Sequence, residues 1–146
     1  MISKKTHLFL FLTILIFFTT SCGPRSLNDF RQEGEGIAED IVKELKQIHS
    51  TEEFPQHSIR LKKLFNKLVD VIIAAHEYKN TYSSANLDVD SSNYTASESL
   101  REQFVRIFKM EGGQEKLEKC EQEALNRLDA YEKELKKQRG SVKFSR

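Results

Sequence analysis

From residue 25 onward the apolar positions recur at helical spacing, and strand-like alternation is nearly absent. Leu27, Phe30, Ile37, Ile41, Leu45 and Ile48 fall along one face of a first helix. Gly34 and Gly36 interrupt it, each costing about 1 kcal/mol against Ala in a helix interior. The helix is therefore expected to be firm only from about Ile37, with residues 22–36 as a tether. Ser50-Thr51-Glu52-Glu53 has the spacing of a capping box, and Pro55 suits the first turn of the next helix.

The second helix, about Pro55–Tyr82, is the most apolar of those beyond residue 25. At 100° per residue, Leu61, Leu64, Phe65, Leu68, Val69, Val71, Ile72, Ile73 and Ala75 spread over an arc wide enough for two neighbours. Arg60, Lys63, Lys67, Asp70 and Glu77 take the other side. This helix is expected at the centre of the domain. Leu68 and Ile72 lie in the middle of the arc. Val69 and Ile73 are the candidate partner surface, with Ile73 at the arc's edge.

Residues 83–96, SSANLDVDSSNYTA, are polar and exceed the usual helix–helix connection. Thr95-x-x-Glu98 and Ser99-x-x-Glu102 are alternative capping boxes for a third helix, which carries Leu100, Phe104, Val105, Ile107 and Phe108. Gly112-Gly113 stops it and permits a tight reversal. The fourth helix, about Gln114–Gln138, aligns Leu117, Ala124 and Tyr131, with Leu128 and Leu135 beside them and Glu121 interrupting. Glu115/Lys119, Glu123/Arg127, Asp129/Lys133 and Glu132/Lys136 stand four apart, acid first, as on a solvated face. These elements predict an all-α fold, a small antiparallel bundle of about four helices over residues 37–139, followed by a basic tail, 140–146. A coiled-coil hairpin that forms a homodimer is the alternative, although Glu121 and Ala124 make a poor seam.

The first 21 residues stand apart. Lys4 and Lys5 precede an apolar run, Leu8–Phe18, too short for a spanning helix. Thr19-Thr20-Ser21-Cys22 follows. The segment resembles the export signal of bacterial lipoproteins. That resemblance implies cleavage between Ser21 and Cys22, a diacylglyceryl group on the Cys22 sulfur and acylation, such as with palmitate, of the freed amine. Thr19 departs from the aliphatic residue usual at that place in the box. No Asp follows Cys22, which favours the outer membrane over the inner one. The expected location is a lipid-anchored one, on the periplasmic or extracellular face of the cell membrane or outer membrane.

Composition narrows the rest. The chain holds 23 basic and 22 acidic residues; without Lys4 and Lys5 the mature part has 21 against 22. A near-neutral balance gives no basic stripe for nucleic acid. With Cys22 lipidated, Cys120 has no intramolecular partner and either fills a helix–helix gap or bridges two chains.

Catalytic and metal motifs fail on inspection. His76-Glu77 begins H-E-x-x-H, but Asn80 stands where the second ligand belongs, and His49 and His57 are scattered. Asp88-x-Asp90-x-Ser92 lacks the Gly and the final Glu of a calcium loop, having Asn93 and Ser99 there. Asn93-Tyr94-Thr95 is a glycosylation sequon, which carries no weight behind a bacterial export signal. No G-x-S-x-G elbow or phosphate-cradling loop occurs. Arg60, Lys62, Lys63 and Lys67 are a basic cluster that is either a solvated face or a patch for anionic head groups or an acidic partner. The expectation is a protein without enzymatic activity, metal or cofactor: an envelope adaptor binding an unidentified envelope protein. The alternatives are a pilotin-like factor escorting a secretion subunit, or a lipidated inhibitor of another protein.

Overall fold

A computed structural model describes residues 26–82 and 95–142. Four α-helices occur among them: α1 (Leu27–Lys46), α2 (Phe54–Thr81), α3 (Thr95–Phe108) and α4 (Gly113–Val142), with a 3-10 turn at Thr51–Glu53. The described residues contain no strand, and the fold is a small all-α bundle. Ser21, Cys22, residues 83–94 and residues 143–146 lie outside the described residues, and with them the cleavage site and the calcium-like sequence.

α1 begins at Leu27, not near Ile37, so residues 27–36 are helix rather than tether. A capping box starts it. The Ser26 hydroxyl accepts the Asp29 N–H at 3.2 Å, and the Asp29 carboxylate accepts the Ser26 N–H at 2.7 Å. Asp takes the place usually held by Glu or Gln. Phe30 is buried against Tyr78, ring centroids 5.7 Å apart. This anchorage outweighs the two glycines. The box expected at Ser50 does not form. Ser50 makes no side-chain cap, and the Glu53 carboxylate accepts the His49 N–H at 2.7 Å. Pro55 does stand in the first turn of α2.

Gly112 adopts φ +70°, a left-handed conformation that suits glycine. At Gly113 a Cβ would lie 2.1 Å from the Ile107 carbonyl oxygen. The two glycines therefore do different things: one turns the chain, the other lets α4 start hard against the end of α3. α4 then runs to Val142, past Gly140, where a frayed tail was expected.

Consecutive helices alternate in direction. α1 and α2 are antiparallel: Gly34 sits opposite Leu68 and Val71, and Glu44 opposite His57 and Arg60. α4 packs along α2 in parallel, with Lys116 near Thr51, Arg127 near Asn66 and His76 near Tyr131. α3 packs along α1, also in parallel, from Ala96 beside Glu39 to Arg106 beside Ile48. α1 and α2 form the central pair, flanked by α3 and α4, which touch each other much less. Ile41, Leu45, Ile48, Leu61, Ile107 and Leu117 are fully buried where the four helices meet.

Candidate functional site

The polar groups that sequence periodicity hides are gathered at one end of the bundle, where α1 stops and α2 starts. Glu44 is the one charged residue buried among those described, at 4% exposure. It occupies the apolar stripe of α1, between Ile41 and Leu45, and faces α2. One carboxylate oxygen meets His57 Nδ1 at 2.8 Å and the other meets Arg60 Nε at 3.0 Å. An ionised carboxylate only accepts hydrogen bonds, so His57 carries its hydrogen on Nδ1 in this contact. Both oxygens of a buried carboxylate are thereby satisfied, which burial demands.

Arg106 reaches from α3 to the same end. Its guanidinium donates to the carbonyls of Ile48, at 2.7 Å, and Leu45, and is braced by Gln103 Oε1 at 2.8 Å. The last carbonyls of a helix have no partner within it. Arg106 supplies one from a neighbouring helix and adds positive charge at the negative end of the α1 dipole. Lys116 of α4 donates to the Thr51 carbonyl in the 3-10 turn that follows α1, beside the Phe54 N–H that the same carbonyl accepts. Each helix thus contributes a side chain to the closing of this end, and the arrangement reads as a cross-linked joint. Its histidine is bonded to a carboxylate, while the neighbouring Ser58 hydroxyl donates to the Pro55 carbonyl, and no cluster of metal-ligating residues occurs among the described residues.

Cys120 is buried at 2% exposure, and burial pushes its thiol up. It fills the space between α4 and the core, so the intermolecular bridge expected as an alternative has no exposed thiol to start from. Val69 and Ile73, the candidate partner surface, are not outward-facing. Val69 is buried in the core and Ile73 is half-buried against it. Ile72, placed by periodicity at mid-arc, is 37% exposed. The arc is turned by about one position because α4 covers the Asn66–Asp70 side of α2 as well.

His57 is a partner of Glu44 rather than a solvent-facing residue, and His76 stands edge-on to Tyr131, centroids 6.4 Å apart. Arg127, expected to pair with Glu123, instead donates to Asn66 and Asp70 of α2. Glu115 and Lys119 do pair, at 2.7 Å. Three open grooves among the described residues are lined mostly by polar and charged residues. One of about 370 Å³ runs between Glu77 and Asn80 of α2 and Tyr131 and Glu134 of α4. No described helix is long and apolar enough to cross a membrane. The chain matches no protein-family model, no curated protein and no solved structure.

Proposed function

We propose that the chain is a membrane-anchored envelope lipoprotein whose helical domain is a non-catalytic adaptor for another envelope protein. The observation that carries the reading is Thr19-Thr20-Ser21-Cys22 directly behind the short apolar run. The position of α1 supports it. Its cap, Ser26, comes four residues after Cys22. Even fully extended, that stretch spans at most about 14 Å. A lipid on Cys22 would therefore hold a stiff bundle close to the bilayer, where two or three acyl chains suffice for durable attachment.

The adaptor reading is favoured over the escort reading by the way the bundle is filled. An escort needs an apolar groove for a partner segment. Here the apolar arc of α2 is largely spent on α1, α3 and α4, and the described grooves carry charge. Glu44, His57 and Arg60 satisfy one another as a joint between helices, which supports a structural rather than catalytic use.

Metabolic labelling with a fatty acid in a bacterial host tests the anchor. Wild-type chain is expected to take the label and lose residues 1–21, whereas Cys22→Ala takes none and stays uncut. Label on the Cys22→Ala chain would overturn the reading. Crosslinking in the envelope, followed by identification of what is captured, tests the adaptor.

A further inference from the structure

Between Phe54 and Val69, α2 carries no acidic residue and four cations, Arg60, Lys62, Lys63 and Lys67. Arg60 is drawn to Glu44. Lys62, Lys63 and Lys67 are exposed and take part in no ion pair among the described residues. Asp70, held by Arg127, and Glu123 line the same shallow groove as Lys63 and Lys67. Amid these lysines stands Ile59, 80% exposed and the most exposed large hydrophobic residue described. Ile59, Lys62 and Lys63 lie within about one helical turn of one another and Lys67 follows Lys63 by one turn, so the four share the exposed side of α2, which is bounded by Asn66, half-buried and bonded to Arg127 of α4.

A lone aliphatic side chain among lysines is a poor protein interface. Such interfaces have an apolar core and are depleted in Lys. It suits a bilayer surface well. The aliphatic group enters the boundary between head groups and acyl chains without needing a pocket, and lysine stems follow it while their ammonium groups stay with the phosphates. We propose that this face of α2 docks on an anionic phospholipid surface, with Ile59 inserted and Lys62, Lys63 and Lys67 against the phosphates. The contact does not depend on a lipid at Cys22.

The core closes between Phe30 and Leu128, so the unlipidated chain from Cys22 to Arg146 retains it and serves for the test. It is mixed with vesicles of phosphatidylcholine alone, or of equal parts phosphatidylcholine and phosphatidylglycerol, and sedimented. Binding is expected only to the anionic vesicles, and it should fall as salt is raised. Lys62→Ala with Lys63→Ala should lower partitioning roughly thirtyfold, because each lysine near such a surface contributes about 1 kcal/mol and about 1.4 kcal/mol is a factor of ten. Lys133→Ala with Lys136→Ala, the same charge change among acids on α4, should leave it unchanged. Ile59→Ser should abolish the binding that persists at moderate salt.

Equal loss from the α4 pair would mean that bulk charge, not this face, is responsible, and would overturn the proposal. So would indifference to anionic vesicles, competition by inorganic phosphate at constant ionic strength, or binding of poly-glutamate in place of vesicles. The last outcome would assign the face to an acidic protein. All are read on a chain without lipid, so they leave the Cys22 reading to its own labelling test.

Discussion

Glu44 and His57 join α1 to α2 through a 2.8 Å contact at a point where the carboxylate is almost wholly enclosed. Arg60 completes the site from one turn further along α2 but keeps much of its side chain in water. Removing Glu44 would leave a histidine donor and a guanidinium facing an apolar gap. Glu44→Ala should cost about 1–3 kcal/mol of stability. That is below the about 3–5 kcal/mol of a fully buried pair, since Arg60 can return to solvent. His57→Ala should cost less, and the double variant less than the sum. Denaturant melts of the cycle measure the coupling; additive losses would show that the two side chains do not act together.

The joint explains which parts of the fold could be read in the sequence. Four helices, their order and the glycine turn at 112–113 follow from apolar spacing and turn chemistry, which are local. Glu44 left a trace too: a carboxylate between Ile41 and Leu45, inside an apolar stripe, has to find partners when buried. Its partners His57 and Arg60 are local to nothing but the α1–α2 register, which spacing does not fix. Arg106 is the same case, because its acceptors are carbonyls on another helix. The start of α1 failed for a different reason. Two glycines argue against helix one residue at a time, whereas the Ser26–Asp29 cap and the Phe30–Tyr78 contact act together.

The turned arc of α2 makes a quantitative contrast. Leu61 is fully buried and Leu61→Ala should cost about 2–5 kcal/mol. Ile72, partly in solvent, should cost only about 0.5 kcal/mol or slightly more on truncation to Ala, near the range of surface substitutions. Thermal melts of both variants decide it. A large loss at Ile72 would mean that another surface covers it in solution.

Cys120 should behave as an enclosed apolar group. The thiolate is the reactive form, and burial both raises the thiol's pKa and blocks access. Alkylation of the native chain should therefore be slow and should speed up sharply in denaturant. Cys120→Ala should be tolerated better than Cys120→Ser, which places a hydroxyl in an apolar site at a cost of about 1–3 kcal/mol if it finds no partner. Disulfide-linked dimer through Cys120 in native, unreduced protein would contradict the burial.

Glu121 interrupts the apolar lines of α4, and the interruption has an electrostatic signature. Burial, and secondarily the nearby Glu118 charge, push its carboxyl above the ordinary 4.5. A carboxylic acid with a raised folded pKa binds its proton more tightly in the native state than in the unfolded one. As pH rises from the unfolded value through the folded one, the native state retains a proton that the unfolded state has lost, so stability falls across that window. Above it the loss is constant. Glu121→Gln removes the titration and should raise Tm at neutral pH. The advantage should shrink as pH falls through the window and vanish below about pH 4, where both states of the wild type are protonated. Glu118→Gln should give a smaller gain of the same sign, since it removes only the neighbouring charge. Melts of the three proteins between acid and neutral pH test this. If the gain from Glu121→Gln does not depend on pH, it comes from packing rather than from the buried charge.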